Sequence, residues 1–246
     1  MSHRIVCICV LLCGSGVPVA AQAQGAGRYT VWFNAGAQAA TPSLTDRFTF
    51  EMHAENATVD ADYRSKAAVS LEGGFAVRLR QAIGIGISIS RFSGDDRAGI
   101  QAQIPYPFDF NVFREVAGTT AGLDHTELGY HVLLQYSRPM TRRLRLVLSA
   151  GPTVFSVQRQ LVETVHVDEA YPFDTATFRT ANSRVAKGSG IGFNAGADVM
   201  WALSRHMGAG ALVRYTRGTA DLEDTIRTIS VDAGGLQGGL GLRVYF

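Results

Sequence analysis

The stretch from Leu236 to Phe246 reads LQGGLGLRVYF. From Leu240 onward the alternation is strict. Leu240, Leu242, Val244 and Phe246 point one way, and Gly239, Gly241, Arg243 and Tyr245 the other. A two-residue period with unlike faces marks a strand lying between two different environments. The sequence stops on an aromatic inside that strand, whereas a water-soluble domain more often finishes in a frayed polar tail. A strand needed to close a structure that tolerates no open edge accounts for this ending.

The same period recurs upstream. Arg28 to Gln38 sets Tyr29, Val31 and Phe33 against Trp32 and Asn34, and Ala68 to Leu79 sets Leu71, Phe75 and Val77 against Glu72 and Arg78. Ile83, Ile85, Ile87 and Ile89 alternate with Gly84, Gly86, Ser88 and Ser90, a spacing no helix would place on one face. His125 to Tyr136 opposes Leu128, Tyr130, Val132 and Leu134 to Glu127, His131 and Gln135. Leu144 to Gln158 opposes Leu146 and Leu148 to Arg145 and Ser149, and Pro152 on its outward side predicts a bulge or a lost ladder bond. Gly188 to Trp201 opposes Ile191, Phe193 and Val199 to Asn194 and Asp198, and Met207 to Arg217 opposes Val213 and Tyr215 to Arg214. With the final stretch, eight strands are expected.

Their connections alternate in length. Long ones cover 39–66, 94–124, 159–187 and 218–234, and short ones lie at 80–81, 137–143 and 204–206. The first long connection holds a further patterned piece within 48–64, which reads either as a hairpin extension or as a strand in its own right.

Residues 1–23 differ from the rest. Arg4 precedes an apolar run from Ile5 to Leu12, Gly14 to Pro18 breaks it, and Ala21-Gln22-Ala23 supplies small residues where a signal peptidase reads. We expect residues 1–23 to be a signal peptide cleaved after Ala23, with a cut after Ala20 as an alternative. Cys7, Cys9 and Cys13 all lie in this segment, so the mature chain has no cysteine for a disulfide, thiolate catalysis or metal binding. Acylation of Cys13 is a minor alternative, disfavoured by Leu12 before it.

The whole chain carries 23 Lys and Arg against 21 Asp and Glu, and its only lysines are Lys66 and Lys187. This near-neutral balance is not that of a nucleic-acid binder. No internal run is long and apolar enough for a transmembrane helix. A membrane location therefore requires strands. Long connections alternating with tight turns, and aromatics near strand ends at Tyr29, Tyr136, Trp201, Tyr215 and Phe246, fit that case. The expected fold is all-β: an eight-stranded antiparallel transmembrane β-barrel, an up-and-down meander over 24–246. Ile83, Ile85, Ile87, Ile89, Leu240, Leu242, Val244 and Phe246 would face the membrane. The competing reading is a soluble periplasmic or secreted β-protein with those isoleucines in an ordinary core.

The pattern resembles the small eight-stranded outer-membrane barrels grouped as OmpA-like or "outer membrane protein beta-barrel domain" proteins. The resemblance covers 28–246 and rests on the leader, the strand pattern, Gly-rich strands such as GLDHTELGYHVLLQY and SGIGFNAGADVMWALS, and the terminal aromatic. It implies a bacterial outer-membrane, porin-like architecture with both termini in the periplasm. It also implies contact with outer-membrane lipid, and engagement of the barrel-assembly machinery through the strand ending at Phe246. The peptidoglycan-binding domain of full-length OmpA-type proteins is not expected, since nothing follows Phe246.

The inward faces carry Glu72, Arg78, Glu127, His131, Gln135, Arg145, Asn194, Asp198, Arg214 and Arg243. A carboxylate in so narrow a space must be paired or protonated. The guanidinium fork joins carboxylates well. We therefore expect an ion-pair network of Glu72, Arg78, Glu127, His131, Arg145, Asp198, Arg214 and Arg243 that plugs the interior. A narrow channel is the alternative. A lipid-modifying enzyme using His131 with Ser70, Ser88, Ser90 or Ser149 and Glu127 is a further one, but G-x-S-x-G is absent. H-E-x-x-H and calcium-loop spacings are absent too, so no metal or other cofactor is expected. Tyr106, Phe108, Phe110 and Phe113 beside Pro105 and Pro107 either bind an extracellular ligand or pack over the mouth. The expected role is a structural, surface-exposed barrel, not an enzyme, with adhesion or binding through its loops.

Overall fold

The structure, a computed structural model, describes residues 27–40, 43–223 and 228–246. The expected leader at 1–23, its cysteines included, lies outside the described residues. Among the described residues no helix is long and apolar enough to cross a membrane, which says nothing of crossing by strands.

Among the described residues eleven strands form one antiparallel sheet. They are β1 (Tyr29–Gln38), β2 (Leu44–Met52), β3 (Glu55–Ser65), β4 (Ala68–Arg78), β5 (Ile83–Pro105), β6 (Phe113–Pro139), β7 (Leu144–Glu169), β8 (Ala176–Ala202), β9 (Met207–Glu223), β10 (Thr228–Ala233) and β11 (Leu236–Tyr245). β1 pairs with β4 and with β11, β5 with β4 and with β6, and β11 with β9. The β2–β3 hairpin docks through β3 on the far half of β5, beyond β4. Its two turn residues, His53 and Ala54, both have positive φ, which suits the twist of a two-residue hairpin.

The expected eight-stranded up-and-down meander is therefore corrected. The sheet has eleven strands, and they are not arranged evenly round an axis. The error lay in the long connections. Residues 94–124, 159–187 and 218–234 are mostly strand, and the piece within 48–64 belongs to a hairpin extension.

The physical reason is an inversion of polarity along single strands. On β5, Ile83, Ile85, Ile87 and Ile89 are exposed while Ser88 and Ser90 are buried. Farther along the same strand, Ala98, Ile100, Ala102 and Ile104 are buried while Gln101 and Gln103 face outward. β9 does the same: Val213 and Tyr215 are exposed beside buried Arg214, then Ala220 and Leu222 are buried beside outward Asp221 and Glu223. On β6 the switch of face is assisted by a bulge, where Gly122 at φ 75° takes up the register shift between Asp96 and Arg97 of β5.

The molecule thus has two zones. Near the short turns a belt of exposed apolar side chains surrounds a polar interior. Near the long connections a polar exterior surrounds an apolar core that includes Val59, Tyr63, Ile100, Ile104, Phe155, Leu161 and Leu222. Pro152 behaves as expected, since the β6–β7 ladder skips between His131–Thr153 and Leu134–Ala150. Asn194 fills the gap, its amide nitrogen 3.0 Å from the Gly151 carbonyl.

Shortening Ile100 to alanine should destabilise the core zone by about 2–5 kcal/mol. Amide exchange should then accelerate in β2 and β3 before it does in β1 and β11. Equal protection of both regions in I100A would contradict the two-zone division.

Candidate functional site

Strand alternation delivers the polar interior, because successive side chains of β4, β6, β8, β9 and β11 point to opposite faces. Glu72 is its central acid. The Arg214 guanidinium lies 2.7 Å from Glu72 Oε1, and both side chains are almost wholly buried. Trp32 Nε1–H donates to Oε1 at 3.1 Å and the Asn34 amide to Oε2 at 3.2 Å. Gly74 gives the indole its room, because a Cβ there would sit 2.2 Å from Trp32 Cζ2. Nearer the short turns, Arg243 grips Asp198 with two parallel bonds of 2.9 Å. Gly210 faces that guanidinium and leaves no space for a side chain.

A second polar station lies at the boundary with the apolar core. His125 stands between Asp96, 3.5 Å from Nδ1, and Glu127, 3.1 Å from Nε2. Arg159 pairs with Asp96 and covers the Tyr63 ring at 5.3 Å. Glu127 also accepts from the Gly234 backbone N–H at 2.9 Å and from Gln38 at 3.3 Å. Burial pushes His125 down, but the bonds and charges of Asp96 and Glu127 outweigh it and hold the imidazolium above its ordinary value. Burial pushes Asp96 up, and His125, Arg159 and Ser65 together hold its carboxyl below the ordinary range.

Of the residues expected in the interior network, Glu72, Glu127, Asp198, Arg214 and Arg243 make ion pairs. His131 is buried but contacts hydroxyls: Ser90 Oγ at 2.8 Å from Nε2 and Thr153 Oγ1 at 2.8 Å from Nδ1. A serine and histidine therefore do meet, although the third partner is a threonine, and all three are buried. Arg78 and Arg145 line a cavity at the short-turn end, and no ion pair of either is seen among the described residues. Ile83, Ile85, Ile87, Ile89, Leu240, Leu242 and Phe246 are exposed in the apolar belt, and Val244 is half-buried.

Sequence reading missed Asp96, His125 and Arg159 as interior residues, because it placed the first and last in connections and the second at a strand end. It set Trp32 and Asn34 on one face of their strand without naming them, or Gln38, among the inward residues that bond carboxylates. Counting alternate positions on through Gly94, back from Glu127 and on past Val157 finds Asp96, His125 and Arg159.

The long connections meet at the far end. Tyr106, Phe108, Phe173 and Tyr171 form a chain of edge-on rings. Arg114 ties them down: it donates to the Phe173 and Pro105 carbonyls, pairs with Glu169, and lies over the Tyr106 ring. His53 at the β2–β3 turn reaches the same Glu169 at 3.5 Å. Phe108, Phe110 and Tyr171 remain largely exposed.

Two predictions follow from these contacts. Arg214→Ala strands the Glu72 carboxylate and should cost about 3–5 kcal/mol in urea unfolding followed by circular dichroism, whereas Glu72→Leu combined with Arg214→Met should cost less than either single change. If the losses of the single changes simply add, the coupling is refuted.

For His125, the raised folded value means its stabilisation is complete below the unfolded pKa of about 6.5 and is lost as pH rises through the folded value. Asp96, held low, contributes above about 3.9 and ceases to as pH falls through its folded value. The His125 ring should titrate above about 6.5 by NMR, and Glu127→Gln should lower its midpoint. A midpoint at or below the ordinary histidine value would overturn the assignment.

No protein-family model matches this chain, and no curated protein does. Several solved structures are similar in architecture. The outer membrane protein OprG from Pseudomonas aeruginosa is 10% identical with a TM-score of 0.47, covering 92% of this chain and 99% of OprG. Neisserial surface protein A is 10% identical with a TM-score of 0.47, covering 89% and 96%. Ail, the attachment invasion locus protein of Yersinia pestis, is 12% identical with a TM-score of 0.40, covering 88% and 98%. These likenesses are to small bacterial outer-membrane β-barrel proteins in general and are not specific to the OmpA-like group.

Proposed function

We propose that this protein spans the bacterial outer membrane with the belt zone of its sheet and carries its core zone as a rigid stalk into the extracellular space. The observation that carries this reading is the inverted polarity of β5 and β9. Outward residues are apolar only as far as Ile89 and Tyr215, and Arg91 and Arg217 follow at the next outward positions. A strand passing from lipid into water must change its outward chemistry at that boundary. A soluble protein would instead expose an apolar belt far larger than the few hundred Å² that monomers ordinarily tolerate. On this reading the short turns and both termini are periplasmic, and exposed Phe246 closing β11 is the point of engagement for the barrel-assembly machinery.

The role we assign is that of a non-catalytic surface protein that binds an extracellular partner through the aromatic tip. The tip's rings are held by Arg114 and the hairpin turn, so little order need be gained on binding. The filled interior supports a non-conducting reading: the ion pairs and the apolar core lie in series along the path from one end to the other. Burial of Ser90, His131 and Thr153 supports a packing role for them rather than hydrolysis.

Refolded protein should migrate differently on a denaturing gel before and after boiling, and should add no steady conductance to a planar bilayer. Phe108→Ser with Tyr171→Ser should keep the mobility shift and lose adhesion of cells displaying the protein. A protein that stays soluble without detergent and shows no shift would sink the membrane reading. A steady conductance would sink the filled interior.

A further inference from the structure

The cavity at the short-turn end has no part in the role proposed above. It measures about 50 Å³ and is lined by Arg78, Gln135, Ser137, Arg145, Asp198 and Tyr245 among others. A cavity of this size exceeds the roughly 10–15 Å³ that one water needs.

Its charges are unbalanced. Asp198 is occupied on both oxygens by Arg243. Arg78 and Arg145 project inward from the ends of β4 and β7 and feel each other's charge, and Tyr245 lies in the field of both. Among the described residues neither guanidinium makes a side-chain hydrogen bond or an ion pair, which is unlike those of Arg159, Arg214 and Arg243 deeper inside. Two half-buried guanidinium groups lining one cavity repel unless an anion lies between them.

The acid that lines the cavity, Asp198, is already engaged by Arg243. The short turns at 79–82, 140–143 and 203–206 hold Arg80, Arg142, Arg143, Arg205 and His206 but no aspartate or glutamate. No Asp or Glu side chain of these turns offers the balancing charge.

We propose that Arg78, Arg145 and Tyr245 form a binding site for a phosphate group at the short-turn mouth. Two guanidinium forks can each present paired N–H donors to a tetrahedral phosphate. The Tyr245 hydroxyl, the Gln135 amide and the Ser137 hydroxyl supply neutral donors around it. The phosphate comes either from a phospholipid headgroup of the adjacent leaflet or from free phosphate in the compartment. The lipid source rests on the membrane reading above, and the free source does not.

The test uses the full chain refolded in an alkyl glucoside, a detergent without phosphate, with the arginine Nε–Hε resonances followed by NMR. Inorganic phosphate should shift two of them saturably, and chloride at equal ionic strength should not. Arg78→Gln or Arg145→Gln should weaken the response at least tenfold, and each should retain the gel mobility shift. In bilayer discs containing phosphatidylglycerol, resonances already at the bound position and indifferent to added phosphate identify the headgroup. Resonances that still respond identify the free ion. If neither phosphate nor phosphatidylglycerol moves either resonance of the unaltered protein, the site is refuted, whatever the fate of the variants. The mobility shift tests the membrane reading separately.

Discussion

The pair formed by Glu72 and Arg214 joins β4 to β9, two strands that are not neighbours in the sheet, across the interior. Everything in the belt zone is arranged to make that pair tolerable. A buried carboxylate is costly until its lone pairs are used, and here a guanidinium, an indole and an amide converge on it. Such a pair adds little net stability compared with apolar packing, but breaking it is severe. Its effect is therefore to fix which strands stand opposite each other. The glycines at 74 and 210 belong to the same arrangement, since large inward side chains on one strand demand empty positions on another.

The inversion of polarity follows from the same constraint on a longer scale. Where the outward face is apolar, the inward face is polar, and farther along the strand the two exchange. No long stretch is apolar on both faces, and the mean hydropathy of the chain is only +0.07. Chains with continuous apolar strands aggregate before they fold. Under the membrane reading, this alternation keeps the unfolded protein soluble enough to reach its membrane while still giving lipid an apolar surface and the stalk an apolar core.

The two ends are chemically opposite. The tip gathers aromatic rings and is steadied by Arg114, Glu169 and His53, whereas the short turns concentrate arginines without aspartate or glutamate. Between them lies the boundary station of Asp96, His125, Glu127 and Arg159, where the polar interior gives way to the core and Tyr63 is covered by a guanidinium. That station couples the hairpin-bearing half of β5 to β6 and β7, so its protonation state bears on the stalk rather than on the belt.

The belt zone could be read from residues alone. Period-two alternation located Ile83 to Ile89 and Leu240 to Phe246, set Glu72 and Arg214 on inward faces, and marked Pro152 as a break, because those are local consequences of backbone geometry. What alternation could not supply was partnership. Arg78, Arg145, Arg214 and Arg243 occupy equivalent inward positions in the sequence, yet the last two meet carboxylates and the first two do not. The difference depends on strand stagger, which is set by long-range pairing. Nor could a fixed expectation of apolar-out follow β5 past Arg91, since the strand continues while its surroundings change. The sequence by itself determined that the chain is built of two-faced strands and which residues share a face. Only the tertiary structure decided which face is interior at each height, how many strands share the sheet, and which charges find one another, because each of these depends on contacts between residues far apart in the chain.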